Sequence, residues 1–202
     1  MAATLYDAKK PELRIHLLRH GESEWQVGTT TNHDSCLTHR GQRQAKLLAS
    51  RVNAFSSSLL GRSVFASSLK RSLETVGFLG KPFTVMDSLK EARLDVKACL
   101  PKFEGPTHHR PDAQAVGEYR AFHAAVVTLL GHLIDEGLSA KTDLFVFTHG
   151  GVIKTLLRAI HGTDAVCYRI DNCSWTTIAW YHDRWHVECL NDVSHIPQRL
   201  RS

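Results

Sequence analysis

Arg19-His20-Gly21-Glu22 sets an imidazole between a guanidinium and a glycine. Arginine can grip two oxygens of an anion at once, and glycine lets backbone N–H groups approach it closely. A neutral imidazole can attack phosphorus through one ring nitrogen while the other donates to a backbone carbonyl, which fixes its tautomer and its aim. Two more segments offer complementary groups. In Ser67-Ser68-Leu69-Lys70-Arg71, a guanidinium on the first turn of a helix can point back toward a strand end and neutralise phosphoryl oxygens, whereas Lys70 faces solvent. In Thr148-His149-Gly150-Gly151, a second histidine stands at a helix N-terminus, where the dipole and free amides favour an anion. Taken singly, each has a plain alternative: a glycine turn for either histidine, and a surface ion pair with Glu74 for Arg71.

Hydrophobic patterning brings the three together. Ile15 to Leu18 reads as a buried strand running into His20, Leu144 to Phe147 as a second running into His149, and Ser63 to Ala66 as a third running into the Arg71 segment. Helices follow: one from about Arg40 to Val52 capped by Thr38, one over Leu69 to Leu79 capped by Ser67 or Ser68, one from Pro111 or Asp112 to about Asp135, and one from Val152. Trp175 to Tyr181 and Trp185 to Leu190 alternate around His182-Asp183-Arg184 as a hairpin. Strands alternating with helices predict an α/β fold, a three-layer α/β/α sandwich on a mostly parallel sheet with an antiparallel edge. Ligands of such sheets bind outside the carboxyl ends of the strands, where His20, His149 and Arg71 all fall.

Composition narrows the partners. The 202 residues, 43% hydrophobic and 22% charged, suit one domain over 1–202, with a core at about 13–196. No segment is long and apolar enough for a membrane span, and no secretory leader is expected. Cys36, Cys99, Cys167, Cys173 and Cys189 form no CxxC pair, which fits free thiols and a cytoplasmic location. The net charge of +5 is spread out, with no basic stripe interleaved with aromatics, so no nucleic-acid partner is expected. His182, His186 and Cys189 could be read as metal ligands, but their strand spacing does not bring them round one ion, and no metal is expected.

Arg19-His20-Gly21-Glu22, Asp34 to Ala45, Ser67 to Arg71, Leu89-Lys90-Glu91 and Thr148-His149-Gly150-Gly151 resemble, in order, the motifs of the histidine phosphatase superfamily, with its phosphoglycerate-mutase-like fold. Leu190 to Ile196 is similar to the family's ending, so the match covers about 13–196. The resemblance implies a phosphomonoester hydrolase with no cofactor and a small phosphorylated substrate. His20 attacks the phosphoryl group, Arg19, Arg71 and His149 hold its oxygens, and Glu91 is the general acid. Gln26 and Gly150 join the substrate-binding residues. Glu104, in Phe103-Glu104-Gly105, resembles a glutamate that usually lies closer to the acid and is the alternative for that role. Gln26 departs from the family's usual asparagine, which puts its phosphate contact in doubt. The alternatives in function are a mutase, whose members usually carry a longer insertion than Ala92 to Thr148 allows, and a non-catalytic binder of phosphorylated ligands. Oligomeric state is left open.

Overall fold

A computed structural model describes residues 10–55, 64–92, 113–164, 166–181 and 184–202. Among them lie six strands: β1 (Leu13–Arg19), β2 (Val64–Ser67), β3 (Thr84–Met86), β4 (Leu144–Thr148), β5 (Trp175–Tyr181) and β6 (Arg184–Asp192). The helices are α1 (His39–Phe55), α2 (Lys70–Gly77), α3 (Ala113–Ala140) and α4 (Gly150–His161). One sheet results, in the order β3-β2-β4-β1-β5-β6. Its first four strands pair in parallel, and β5 and β6 add the antiparallel edge.

Alternation along the strands builds both outer layers, because successive side chains leave opposite faces of a sheet. Leu13, Ile15 and Leu17 of β1, with Leu144 and Val146 of β4, pack beneath Val126, Leu129 and Leu133 of α3 and Val152, Ile153 and Leu156 of α4. Leu18 of β1, with Phe145 and Phe147 of β4, packs beneath Leu48 and Val52 of α1 and Val76 of α2. The chain is the expected α/β/α sandwich.

The helices differ from the sequence reading mainly at their ends. Thr38 caps α1, its Oγ1 accepting from the Gly41 N–H at 3.0 Å, and the helix extends three residues past Val52. α2 has Leu69 at its N-cap, with no side-chain cap, so neither serine caps it. The Ser68 hydroxyl donates instead to Asp87 Oδ1 at 2.6 Å, and Ser67 Oγ lies 2.8 Å from His149 Nε2. Strand β3 was not anticipated, since three residues after Pro82 carry too little alternation to stand out. The long helix is described from Ala113 and runs to Ala140, five residues beyond the expected end. Pro111, Asp112 and the His182-Asp183 turn lie outside the described residues. No helix among those described is long and apolar enough to cross a membrane.

Candidate active site

Register brings the two glycine-flanked histidines together. β1 and β4 run in parallel with Arg19 opposite Thr148, so their carboxyl ends stop side by side, and the His20 N–H donates to the Thr148 carbonyl at 3.0 Å. The ring centroids of His20 and His149 are 5.0 Å apart, inclined at 56°. Both residues are buried.

His20 Nδ1 lies 2.6 Å from the Gly21 carbonyl oxygen, an acceptor only, so the proton sits on Nδ1. That leaves a lone pair on Nε2, toward which Arg71 Nε donates at 3.2 Å. Burial holds the imidazole well below the ordinary histidine range, and the charges of His149, Arg19 and Arg71 push the same way against the Gly21 contact. The ring is thus neutral, with its basic nitrogen in a cationic setting.

Arg71 is buried, and its Nη1 donates to the His33 carbonyl at 2.7 Å. The contact with His20 replaces the surface pair with Glu74, whose carboxylate accepts from the Leu37 N–H instead. Arg19 donates from Nη1 to the Ile170 carbonyl at 2.5 Å, while its buried Nε has no hydrogen-bond partner among the described residues. Burial pulls both guanidinium groups below their ordinary range, and the nearby Glu91 charge opposes this in each. Such a cluster gains most from an added anion, because charged donors removed from water lack compensation until a counter-charge arrives.

Glu91 reaches the cluster from the stretch after β3. Thr148 Oγ1 donates to the Leu89 carbonyl at 2.8 Å, tying that stretch to β4. The carboxylate then accepts from the Ala92 N–H at 3.1 Å and, at the start of α4, from the Gly151 N–H at 3.3 Å. Lys90 pairs with Asp87 rather than with Glu91. Gly150 opens α4 against Arg19: a Cβ there would lie 3.5 Å from Arg19 Nε. Glu104 and the rest of 93–112 lie outside the described residues.

The loop after His20 is braced on both sides, by Thr75, which the sequence reading did not single out, and by Gln44, which it quoted only within the stretch Asp34 to Ala45 and without a role. The Gly21 N–H donates to Thr75 Oγ1 at 3.0 Å, and the Glu22 N–H to Gln44 Oε1 at 2.9 Å. Gln44 is fully buried and hands its amide on to the Leu200 carbonyl. Glu22 itself takes Thr38 Oγ1 at 2.7 Å and Arg40 Nη2 at 2.5 Å. Gly21 and Gly41 are required for space, since a Cβ on Gly21 would come within 2.6 Å of the Gly41 carbonyl oxygen, and one on Gly41 within 2.0 Å of that of Glu22. Gln26, four residues beyond Glu22, bonds to Ser23 and to the buried Asn172. A buried amide just before a strand, such as Asn172, has no spacing that marks it.

Of the alternative metal ligands, His186 stacks edge-on against Tyr181 and Cys189 donates to the Trp175 carbonyl, while His182 lies outside the described residues. Among the described residues no group of three or more His, Cys, Asp or Glu side chains could hold a metal ion.

Similar proteins carry comparable chains. The chain is 26% identical over 212 residues to the probable phosphoglycerate mutase GpmB of Serratia proteamaculans, a match covering 91% of this chain and 95% of that protein. It is 29% identical over 153 residues to mouse 6-phosphofructo-2-kinase/fructose-2,6-bisphosphatase 1, covering 71% of this chain and 31% of that longer protein. Among solved structures, Bacillus stearothermophilus YhfR superposes with a TM-score of 0.70 at 22% identity, covering 92% of this chain and 100% of that one. Residues 15–193 match the family model of branch 1, and the chain belongs to the histidine phosphatase superfamily.

Proposed function

We propose that the protein is a phosphomonoester hydrolase that works through a phosphohistidine on His20. The observation that carries this reading is the His20 tautomer: with Nδ1–H spent on the Gly21 carbonyl, the Nε2 lone pair faces the Arg71 guanidinium in a buried cationic pocket. When a phosphomonoester enters, Arg71 turns its donors to the phosphoryl oxygens, with Arg19 and His149 beside them, and Nε2 is released for in-line attack. The Nε2–P bond forms as the P–O bond to the leaving group breaks. Glu91, a carboxylate until a proton accompanies the phosphomonoester into the site, gives that proton to the departing oxygen. As a carboxylate it then takes a proton from water, whose oxygen attacks phosphorus and displaces Nε2. Phosphate leaves, the imidazole is neutral again, and Glu91 is protonated once more. The same buried cationic cluster suits a small phosphorylated substrate, and the free cysteines Cys36, Cys167, Cys173 and Cys189 suit the cytoplasm.

A mutase is the second reading, favoured by the name of the GpmB relative, whose match runs over most of both chains. The two are separated by incubating the protein with a monophosphoglycerate, with and without a bisphosphorylated primer. Hydrolysis releases phosphate without a primer, whereas a mutase interconverts isomers only with one. The intermediate is tested by brief exposure to a ³²P-labelled phosphomonoester and a quench in alkaline detergent. Label that is acid-labile, base-stable and absent from His20→Ala is expected; full turnover in His20→Ala sinks the reading.

A further inference from the structure

Gln26 holds the position from which the family resemblance implies a phosphate contact, yet its amide oxygen and one of its two amide hydrogens are already engaged. Oε1 accepts from the Ser23 N–H at 3.1 Å, from the Ser23 hydroxyl at 3.3 Å and from Asn172 Nδ2 at 3.1 Å. Nε2 donates to Asn172 Oδ1 at 3.2 Å. The two side chains therefore form a reciprocal amide pair, each donating to and accepting from the other.

The backbone fixes which way round both amides stand. The Ser23 N–H can only donate, so the Gln26 atom facing it is the oxygen. The His20 carbonyl can only accept, so the Asn172 atom 3.0 Å from it is the nitrogen. These two requirements arise on opposite sides of the pair and agree with each other. Asn172 is buried, with its Oδ1 also accepting from Ser202 Oγ at 3.0 Å. Turning Gln26 out to a phosphate would leave the Ser23 N–H without its acceptor and take from buried Asn172 both of its bonds to Gln26, a cost that a single new contact does not recover.

The pair acts on the residue that matters most. Asn172 Nδ2 and the Cys173 N–H both donate to the His20 carbonyl, at 3.0 and 3.2 Å, while the His20 N–H is held by Thr148. Fixing both sides of the His20 peptide units sets the line along which Cβ and the ring leave the strand end. We infer that Gln26 and Asn172 are positioning residues working as one unit to aim the His20 ring, and that Gln26 is not a ligand of the phosphoryl group. This rests on the phosphohistidine reading above and adds to it a residue, Asn172, that touches no reacting atom.

The experiment uses the full chain as wild type, Gln26→Ala, Asn172→Ala, Asn172→Asp and the Gln26→Ala/Asn172→Ala double variant. Turnover of p-nitrophenyl phosphate is expressed per active site counted by vanadate titration, so that a loss of folded protein does not register as a loss of rate. Inorganic phosphate is the competing ligand, and the His20 ring is followed by ¹⁵N NMR. Because a displacement of about 1 Å can cost up to about 100-fold, each single variant is expected to lose about tenfold or more in kcat with the phosphate inhibition constant within about twofold. The double variant should lose at most about threefold more than the worse single, since either change breaks the same unit. Asn172→Asp keeps the shape but loses the Nδ2 donor, so it should lose rate as Asn172→Ala does, and in both the His20 Nδ1 proton should exchange faster. A phosphate inhibition constant raised about tenfold in Gln26→Ala with kcat retained would make Gln26 a ligand and overturn the inference, as would losses in the double variant that simply multiply. Wild type that releases no phosphate would sink the hydrolase reading instead. In that event the pair is judged on NMR alone, where an unchanged His20 Nδ1 signal in Asn172→Asp overturns it.

Discussion

His16 and His20 stand four residues apart on one short segment, both buried, and their rings are put to opposite uses. At His16, Trp175 Nε1–H donates to Nδ1 at 3.1 Å, so that nitrogen carries the lone pair and Nε2 the proton. The ring packs among Phe55, Phe145 and Trp175, with centroids 4.7 to 5.2 Å away, and Nε2 faces Asp143 Oδ2 at 3.8 Å. That contact holds the Asp143 carboxyl below its ordinary range. At His20 the tautomer is reversed, the carbonyl of the next residue takes the proton, and the lone pair meets a guanidinium. Residue type and burial are therefore uninformative about reactivity here. What differs is where the lone pair goes: in the middle of the sheet the Trp175 N–H of the neighbouring strand meets it, whereas just past the end of β1 a helix-borne cation faces it.

Substitution should separate the two rings most sharply. His20→Ala is expected to lower turnover of p-nitrophenyl phosphate at least ~1,000-fold with its circular-dichroism spectrum unchanged. Arg71→Ala should cost about 100-fold or more in kcat/KM, because it removes donors aimed at the phosphoryl oxygens; a loss below about threefold would detach Arg71 from the site. Glu91→Gln should slow phosphomonoesters with alkyl leaving groups by about 100-fold and p-nitrophenyl phosphate far less, since only a poor leaving group needs the proton. An equal effect on both would move the acid elsewhere, with Glu104 next in line.

At the other ring the expected effect is small and of a different kind. His16→Phe should leave kcat within about twofold and lower stability by about 1 kcal/mol, because the Trp175 N–H loses one acceptor but keeps Thr177 Oγ1 at 3.0 Å. Acid should reach His20 through stability. Its folded-state pKa lies below the unfolded value of about 6.5, so folding opposes protonation and the stabilisation falls as pH drops below about 6.5. His195, pushed down to about 4 by burial and the Arg51 charge, adds to the loss over the same range. Melting temperature measured from pH 7 to pH 4 should therefore decline, and less steeply in His20→Ala than in wild type.

Much of this was legible beforehand. The strands leading into His20 and His149 are apolar runs long enough to declare themselves, and the glycines after both rings mark a backbone that must come close to something. Arg71 was legible only through the company of the other motifs, since its spacing to Glu74 favours an ion pair that does not form. Asn172 was not legible, and Gln44 only as part of a quoted motif without a role, because their partners are main-chain atoms 152 and 22 residues away that no local pattern reports. The N-cap of α2 failed for a related reason: Ser67 and Ser68 are good caps in isolation, and here their hydroxyls serve His149 and Asp87.

The contact between Gly41 and the loop at Glu22 gives helix α1 a mechanical hold on the loop that carries His20. A methyl group added at position 41 has nowhere to go except into main chain, 2.0 Å from the Glu22 carbonyl oxygen, so the loop itself would have to retreat. The ring two residues earlier would be carried off its line, although position 41 offers no functional group and touches no substrate. A lesion of this sort would look like a fault in the catalyst while lying in the packing of an outer layer.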